Sequence, residues 1–506
     1  MKHILFMMFI VLLVVSGVSP VRAKSTSQPD FATIDSFIEK EMAATHLPGL
    51  ALAIVHDDQV VYLKGYGTSD QAGTPVTPRT PFMLASLSKS FTALAAMQLV
   101  EAGKIDLDAP VQTYLPWFRV ADEKASAEIT VRNLLNHTSG LPGSAAMQFF
   151  AGDSDMETQV RALANVELDR PVGESYEYAN PSYAVLAMIV QQVSGQPFQQ
   201  YVQEYIFSPL QMTNTFTSKE EALQQGLATG YTYALNIPIA LDVPYNRGGI
   251  AYCCIISSAE DLSHYLIAQM NGGRYAGKSI LSAQGIDAMH APAVREDRPE
   301  RYYGMAWETR PINGIPVVMH TGEGPGWQTN LIMLPNGWAV AVLANGYNFV
   351  DASFGADRLR GIARGVVSLI AGRTPPPAAS GAGAYVFHGA LAVIVLVQLA
   401  GMSYSIRYIR RWQKGERLPR GTIRRLAVIA LPLVVNLLWA GLVFFEVPNL
   451  LMPYDLMKLL VPALAYTLIL SGLVALGWSM VRTAMMVQAF RNERGVPLPV
   501  RRAEVL

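Results

Sequence analysis

The chain has 506 residues, enough for two or three structural units, and its 39 Lys and Arg are matched by 39 Asp and Glu, which gives no pointer to nucleic acid. The balance hides an asymmetry: 24 basic and 34 acidic residues through Gly372, then 15 basic and 5 acidic from Arg373 onward. Only two cysteines occur, adjacent at Cys253 and Cys254, so a disulfide framework and any C-x-x-C metal or redox pattern are excluded.

Lys2 and His3 form a short polar start, Ile4 to Val15 is an apolar run too short to span comfortably, and Val21-Arg22-Ala23 offers a small-residue exit. Residues 1–23 therefore read as a secretory signal peptide, with an uncleaved anchor as the alternative, and the unit that follows is expected to be exported. From about Asp30 to Gly372 the chain reads as one globular unit. Leu50 to His56 and Gln59 to Lys64 are apolar, β-rich runs around Asp57-Asp58, which predicts a hairpin. Ser86 to Ala102 has helical periodicity and stops at Gly103. Val131 to Asn136 reads as a short helix, and Tyr183 to Val193 as another. Adjacent cysteines rarely bond to each other, because the ring strains the peptide between them. Cys253 and Cys254 are thus expected as two small buried residues. Strand signals return at Pro316 to His320, Gln328 to Leu334 and Trp338 to Leu343, with Pro335-Asn336-Gly337 as a turn, and Ala352 to Ala371 reads as a closing helix. Strands at both ends with helices between them predict an α+β unit, residues 24–372, whose sheet joins the two termini.

Residues 373–383, with Pro375-Pro376-Pro377, have linker composition. The remainder, 384–506, holds three apolar segments at about 384–404, 426–447 and 457–481, each long enough for a ~30 Å hydrocarbon core. Between the first and second lie Arg407, Arg410, Arg411, Lys414, Arg417, Arg420, Arg424 and Arg425, and Arg482, Arg491, Arg494, Arg501 and Arg502 follow the third. The second connection carries Glu446 and Asp455 and is read as free of Lys and Arg. The positive-inside rule then puts the basic loop and tail in the cytoplasm and the front unit outside. The expectation is a multi-pass protein of the cytoplasmic (inner) membrane with its large unit on the periplasmic or extracellular face. No span carries a central charge, so the spans read as an anchor first and a partner surface second.

Three strings carry chemistry. In Ser86-Leu87-Ser88-Lys89 the serine and the lysine leave one face of a helix start. A buried ammonium loses hydration and its pKa falls, so a hydroxyl beside it can act as a nucleophile. Tyr178-Ala179-Asn180 precedes a helix, and His320-Thr321-Gly322 ends an apolar strand. In order, spacing and placement these strings resemble the serine β-lactamase and penicillin-binding superfamily, in particular its class C-like branch, which also holds D-amino-acid peptidases, DD-peptidases and esterases. Leu134 to Leu141 and Ser257 to Leu262 are similar to further strings of that branch.

The resemblance covers residues 30 to 370. It implies a β-lactamase/transpeptidase-like domain of α+β class, an antiparallel sheet from both termini plus an all-helical subdomain, here followed by three transmembrane helices. It implies an acyl-enzyme at Ser86, with Lys89 and Tyr178 sharing the proton work and Lys89 expected to lower the phenol's pKa. Asn180 is expected to hydrogen-bond Lys89 and the substrate amide, and the backbone N–H groups of Ser86 and Glu323 to form an oxyanion hole. His320, Thr321 and Gly322 are expected to line the substrate, with an extended peptide pairing to that strand edge, while His137 braces a turn. His320 stands where the drug-hydrolysing members carry lysine, and a mostly neutral imidazole binds a carboxylate weakly. The reading is a serine hydrolase without metal or cofactor, most simply a peptidase acting on D-residue-containing peptides, either cell-wall stems or an exported peptide prodrug. The alternatives are a penicillin-binding sensor or β-lactamase, and an esterase. Expected partners are the peptide or another acyl small molecule, the lipid bilayer, and an exporter or other membrane protein, with no nucleic acid.

Overall fold

The computed structural model describes residues 29–145, 154–414 and 422–495. The signal peptide predicted for residues 1–23 lies outside them, as do Arg501 and Arg502. Asp30 caps helix α1 (Phe31–Thr45), its carboxylate accepting from the Ala32 and Thr33 amides at 3.1 and 3.3 Å. The hairpin β1 (Gly49–His56) and β2 (Gln59–Gly67) turns at Asp57-Asp58 as predicted. A 3₁₀ turn, Ala85–Leu87, then leads into α2 (Ser88–Glu101). Helices α3 (Val131–Leu135) and α4 (Asn180–Ser194), the hairpin β3 (Gly230–Ala234) and β4 (Ile237–Leu241), and α5 (Ala259–Met270) follow. The chain then returns through β5 (Val294–Arg295), β6 (Tyr302–Tyr303), β7 (Glu308–Ile312), β8 (Ile315–Gly324), β9 (Trp327–Met333) and β10 (Trp338–Ala344).

The main sheet is antiparallel in the order β2-β1-β10-β9-β8-β7-β6-β5, so the first hairpin closes against the last strand, Leu50 opposite Ala344 and His56 opposite Trp338. Side chains of a strand alternate between faces, and both faces here are covered. Leu50, Leu52 and Ile54 join Ile34 and Ile38 of α1 in one core, while Ala51, Ala53 and Val55 join Leu94 and Leu266 in the other. Helix α2 is buried on nearly all sides from Ser88 to Leu99, the pattern of a central helix, and packs on α4.

The predicted closing helix is two helices, α6 (Phe349–Ser353) and α7 (Arg358–Ile370). Gly355 takes φ +73° between them, and Asp357 caps α7 by accepting from the Arg360 amide at 3.1 Å. After it come α8 (Ala382–Gln413), α9 (Thr422–Gly441), α10 (Tyr454–Leu460) and α11 (Pro462–Gly495). Among the described residues three runs are long and apolar enough to cross a membrane: Ala382–Gln413, Ala430–Leu450 and Pro462–Ala489. The third begins later than predicted. Val461 precedes Pro462, which disfavours helical backbone, and it adopts φ −138°. Lys458 therefore falls in the second connection, 3.1 Å from Asp455, so that connection carries one lysine rather than none. The helical tail is also seated on the front unit. Val350 shares a buried apolar cluster with Ala384, Val443, Met457, Val461, Ala465 and Leu468.

Candidate active site

Ser86 is the one partly exposed position between Thr80 and Met97. The 3₁₀ turn that carries it begins at Ala85, whose φ is +48°, a left-handed conformation costly for a residue with a Cβ. Lys89, one turn on, is fully buried. Its Nζ lies 3.1 Å from Ser86 Oγ, donates to the Tyr252 carbonyl at 3.0 Å and sits 4.7 Å from the centre of the Tyr178 ring. No carboxylate pairs with it among the described residues, and burial pushes its pKa well below the ordinary lysine value. Burial therefore favours the neutral amine over the ammonium.

That neutrality corrects one expectation. A neutral amine does not pull the Tyr178 phenol down. Burial raises the phenol well above its usual range, against a smaller lowering by the Ser86 hydroxyl. Tyr178 is thus a protonated phenol beside an amine whose charged form burial disfavours, and the amine is the stronger base of the two. His137 sits beneath as expected: its Nδ1 accepts from the Ala179 amide at 3.2 Å, and its own pKa is held well below the ordinary value by burial. Replacing His137 by alanine leaves that buried N–H unpaired. Unfolding stability is expected to fall by about 1–3 kcal/mol, read by thermal melts in detergent.

Asn180 opens α4 without the predicted bond to Lys89; its Oδ1 is buried and has no partner. His320 is also placed otherwise than expected. It is 1 % exposed, its Nε2 stands 3.2 Å from the Tyr303 hydroxyl, and it does not line the pocket beside Ser86. Burial lowers its pKa to about 3, so the imidazole is neutral. Thr321 Oγ1 donates to Asn330 at 3.4 Å on the neighbouring strand. A Cβ on Gly322 would collide with the Leu84 carbonyl, so glycine is what allows β8 to pass so close to the serine turn. Beyond Met319, β8 keeps β9 as partner but has left the register of β7, leaving residues 320–324 unpaired on that side within the sheet.

The Glu323 carboxylate is neutralised by Arg360 and also receives Gln328 Nε2 at 3.2 Å; Arg360 also forms an ion pair with Asp357 at 2.6 Å. The sequence reading also missed Cys253 and Cys254 as a pair: they form a disulfide rather than two separate small residues. The bond lies within the segment that gives Lys89 its carbonyl partner. Together with Ser86, Asn180 and Glu323 it lines a cavity of ≈ 60 Å³. Trp327 and Leu459 also line it. A larger space of ≈ 470 Å³ lies among the membrane-length helices and contains none of these residues.

Similar proteins were found by sequence and by structure. Protein flp of Staphylococcus aureus (strain MW2) is 28 % identical over 317 residues, which is 62 % of this chain and 62 % of that protein. The chain thus spans less than two thirds of that relative's length. Penicillin-binding protein 4 of Amycolatopsis lactamdurans is 29 % identical over 326 residues, covering 62 % of this chain and 84 % of the relative. The octameric penicillin-binding protein homologue from Pyrococcus abyssi superposes with a TM-score of 0.61 at 27 % identity, over 72 % of this chain and 82 % of that one. Residues 34–364, more than half of the chain, match the family described as Beta-lactamase, and the chain belongs to that family.

Proposed function

We propose that this chain is a membrane-anchored serine hydrolase, a peptidase acting through an acyl-enzyme on peptides that contain D-residues. The observation that carries the reading is the 3.1 Å approach of a buried, unpaired lysine amine to a partly exposed serine hydroxyl. In acylation the neutral Lys89 amine takes the Ser86 proton as Oγ attacks the carbonyl carbon. The backbone N–H groups of Ser86 and Glu323 receive the developing oxyanion, an arrangement of fixed donors that supplies several kcal/mol. The protonated Tyr178 phenol gives its proton to the leaving amine as the C–N bond breaks, and the phenolate is restored from the Lys89 ammonium. Water then attacks the ester through the same groups, its proton passing by Lys89 and Tyr178 back to Ser86 Oγ. The unpartnered Asn180 Oδ1 is available to a substrate amide N–H.

The pH dependence follows from these groups. Lys89 works unprotonated, so kcat/KM falls as the pH drops through its lowered pKa. Tyr178 works protonated with a raised pKa, so no alkaline loss is expected until beyond pH ~10, the ordinary phenol value. A profile in which the lysine limb appears instead at the ordinary value near 10.5 would contradict the neutral amine.

The neutral, buried His320 offers no fixed positive charge to a β-lactam carboxylate, which favours a peptidase over an antibiotic-hydrolysing enzyme. Placement on the outer face of the cytoplasmic membrane is supported by the basic first connection against a second that holds a single lysine. The test is digestion of a peptide library containing D- and L-residues by the full chain in lipid nanodiscs, beside Ser86→Ala. Cleavage at D-residues that vanishes in the variant supports the proposal. Hydrolysis of esters with no amide cleavage would replace it with an esterase, and a penicillin adduct that never turns over would replace it with a sensor.

A further inference from the structure

The cavity beside Ser86 is walled in part by a residue from far outside the family match. Leu459 belongs to α10, between the second and third membrane-length helices, and lies 95 residues beyond the matched region, which ends at 364. Its position is fixed from both sides. The next residue, Leu460, accepts a hydrogen bond through its carbonyl from Thr232 Oγ1 of β3 at 3.3 Å. Met457 and Val461 are buried in the apolar cluster that includes Val350 of α6. At the tip of the β3–β4 hairpin the Leu235 amide donates to His388 of α8 at 3.2 Å. The hairpin, α8 and α10 thus hold one another, and Leu459 is held half-buried against the cavity.

The cavity has an apolar side: Val243, Pro244, Trp327 and Leu459. The one carboxylate on its wall, Glu323, is neutralised by Arg360. A charged substrate group would find no opposite charge there, whereas an apolar group would exchange water for carbon contacts on several sides.

We infer that Leu459 is a specificity-determining residue, through which the membrane region forms a wall of an apolar subsite for a side chain of the acyl donor. The inference rests on the proposal that Ser86 is the acylated residue. It makes the helical tail a part of the enzyme's selectivity as well as its anchor.

The experiment uses the full chain in lipid nanodiscs and a series of fluorophosphonates carrying methyl, isobutyl or benzyl groups, with the rate of Ser86 modification read by mass spectrometry. Each reagent forms a Ser86 Oγ–P bond with loss of fluoride, so no knowledge of the natural substrate is needed. In the parent the larger apolar groups are expected to react faster than methyl. Leu459→Ala is expected to shrink that preference roughly tenfold, in line with the value of a few methylenes in an apolar pocket. Leu459→Trp is expected to slow the benzyl reagent relative to methyl, the ratio being read within the one variant, and a thermal melt beside the parent shows that it is folded. Unchanged preference in both folded variants would overturn this inference and leave the serine hydrolase standing. Absence of Ser86 labelling by every reagent in the parent would overturn both.

Discussion

Replacing Ser86 by alanine is expected to lower turnover by at least about 10³-fold and to abolish covalent labelling of the 85–89 segment, with the fold intact. The two other hydroxyls on the same turn make this a sharp test. Ser88 is fully buried and accepts from the Ile255 amide at 3.1 Å, and Ser90 donates to the Leu87 carbonyl at 2.8 Å. Both are occupied by structural bonds, and neither has the exposure of Ser86. Ser88→Ala is therefore expected to cost about 1 kcal/mol of stability and leave labelling in place. In Ser86→Ala the Lys89 amine keeps its bond to the Tyr252 carbonyl and is not orphaned, while the Tyr178 phenol loses the Ser86 hydroxyl as a neighbour. A drop in turnover in that variant then reads on chemistry. Retained turnover in Ser86→Ala, or labelling lost in Ser88→Ala instead, would refute the assignment.

The parts of the site readable from the chain are those written in contiguous strings. Ser86 and Lys89 share a helix face, and a run as apolar as the one from Phe91 to Leu99 marks that helix as central. The unbroken apolar runs of β1 and β10 are likewise those of strands buried on both faces. What the chain conceals depends on distant partners. Tyr303 reaches His320 from another strand, Arg360 reaches Glu323 from α7, and Leu459 arrives from between two membrane-length helices. No local pattern at these positions differs from that of an ordinary strand tyrosine, helix arginine or apolar leucine. The state of Tyr178 was misjudged for a related reason. Whether Lys89 acts as a cation or as an amine depends on its complete burial and on the lack of a carboxylate nearby, and a motif encodes neither. The cysteine pair is similar: strain argues against the bond in general, but the turn after Arg247–Ala251 brings the two sulfurs together.

Lys89→Met is expected to reduce turnover about as severely as Ser86→Ala, and at the same time to make the protein more stable at neutral pH. The activity loss follows from removing the base next to Oγ, leaving Tyr178, whose raised pKa makes it a poor substitute. The stability gain follows from linkage. The unfolded chain holds its lysine proton up to the ordinary value of 10.5, whereas the folded state has shed it at a much lower pH. Between those values the unfolded state binds more protons, so stability rises with pH, and the penalty is fully present below the folded pKa and gone above about 10.5. Each pKa unit of depression is about 1.4 kcal/mol. Against this, methionine leaves the Tyr252 carbonyl without its donor, at about 1–3 kcal/mol. Methionine is unbranched and fills a similar volume, so no large cavity is added. The expected net result is a gain in stability at pH 7, seen as an unfolding midpoint above that of the parent. The difference from the parent should shrink steadily toward pH 10 and reverse once the lysine is neutral in both states. Thermal melts of both proteins in the same detergent across pH 6 to 10.5 decide it. An inactive variant that is less stable than the parent throughout that range would mean that Lys89 is held as a cation, and the proton route through it would fall.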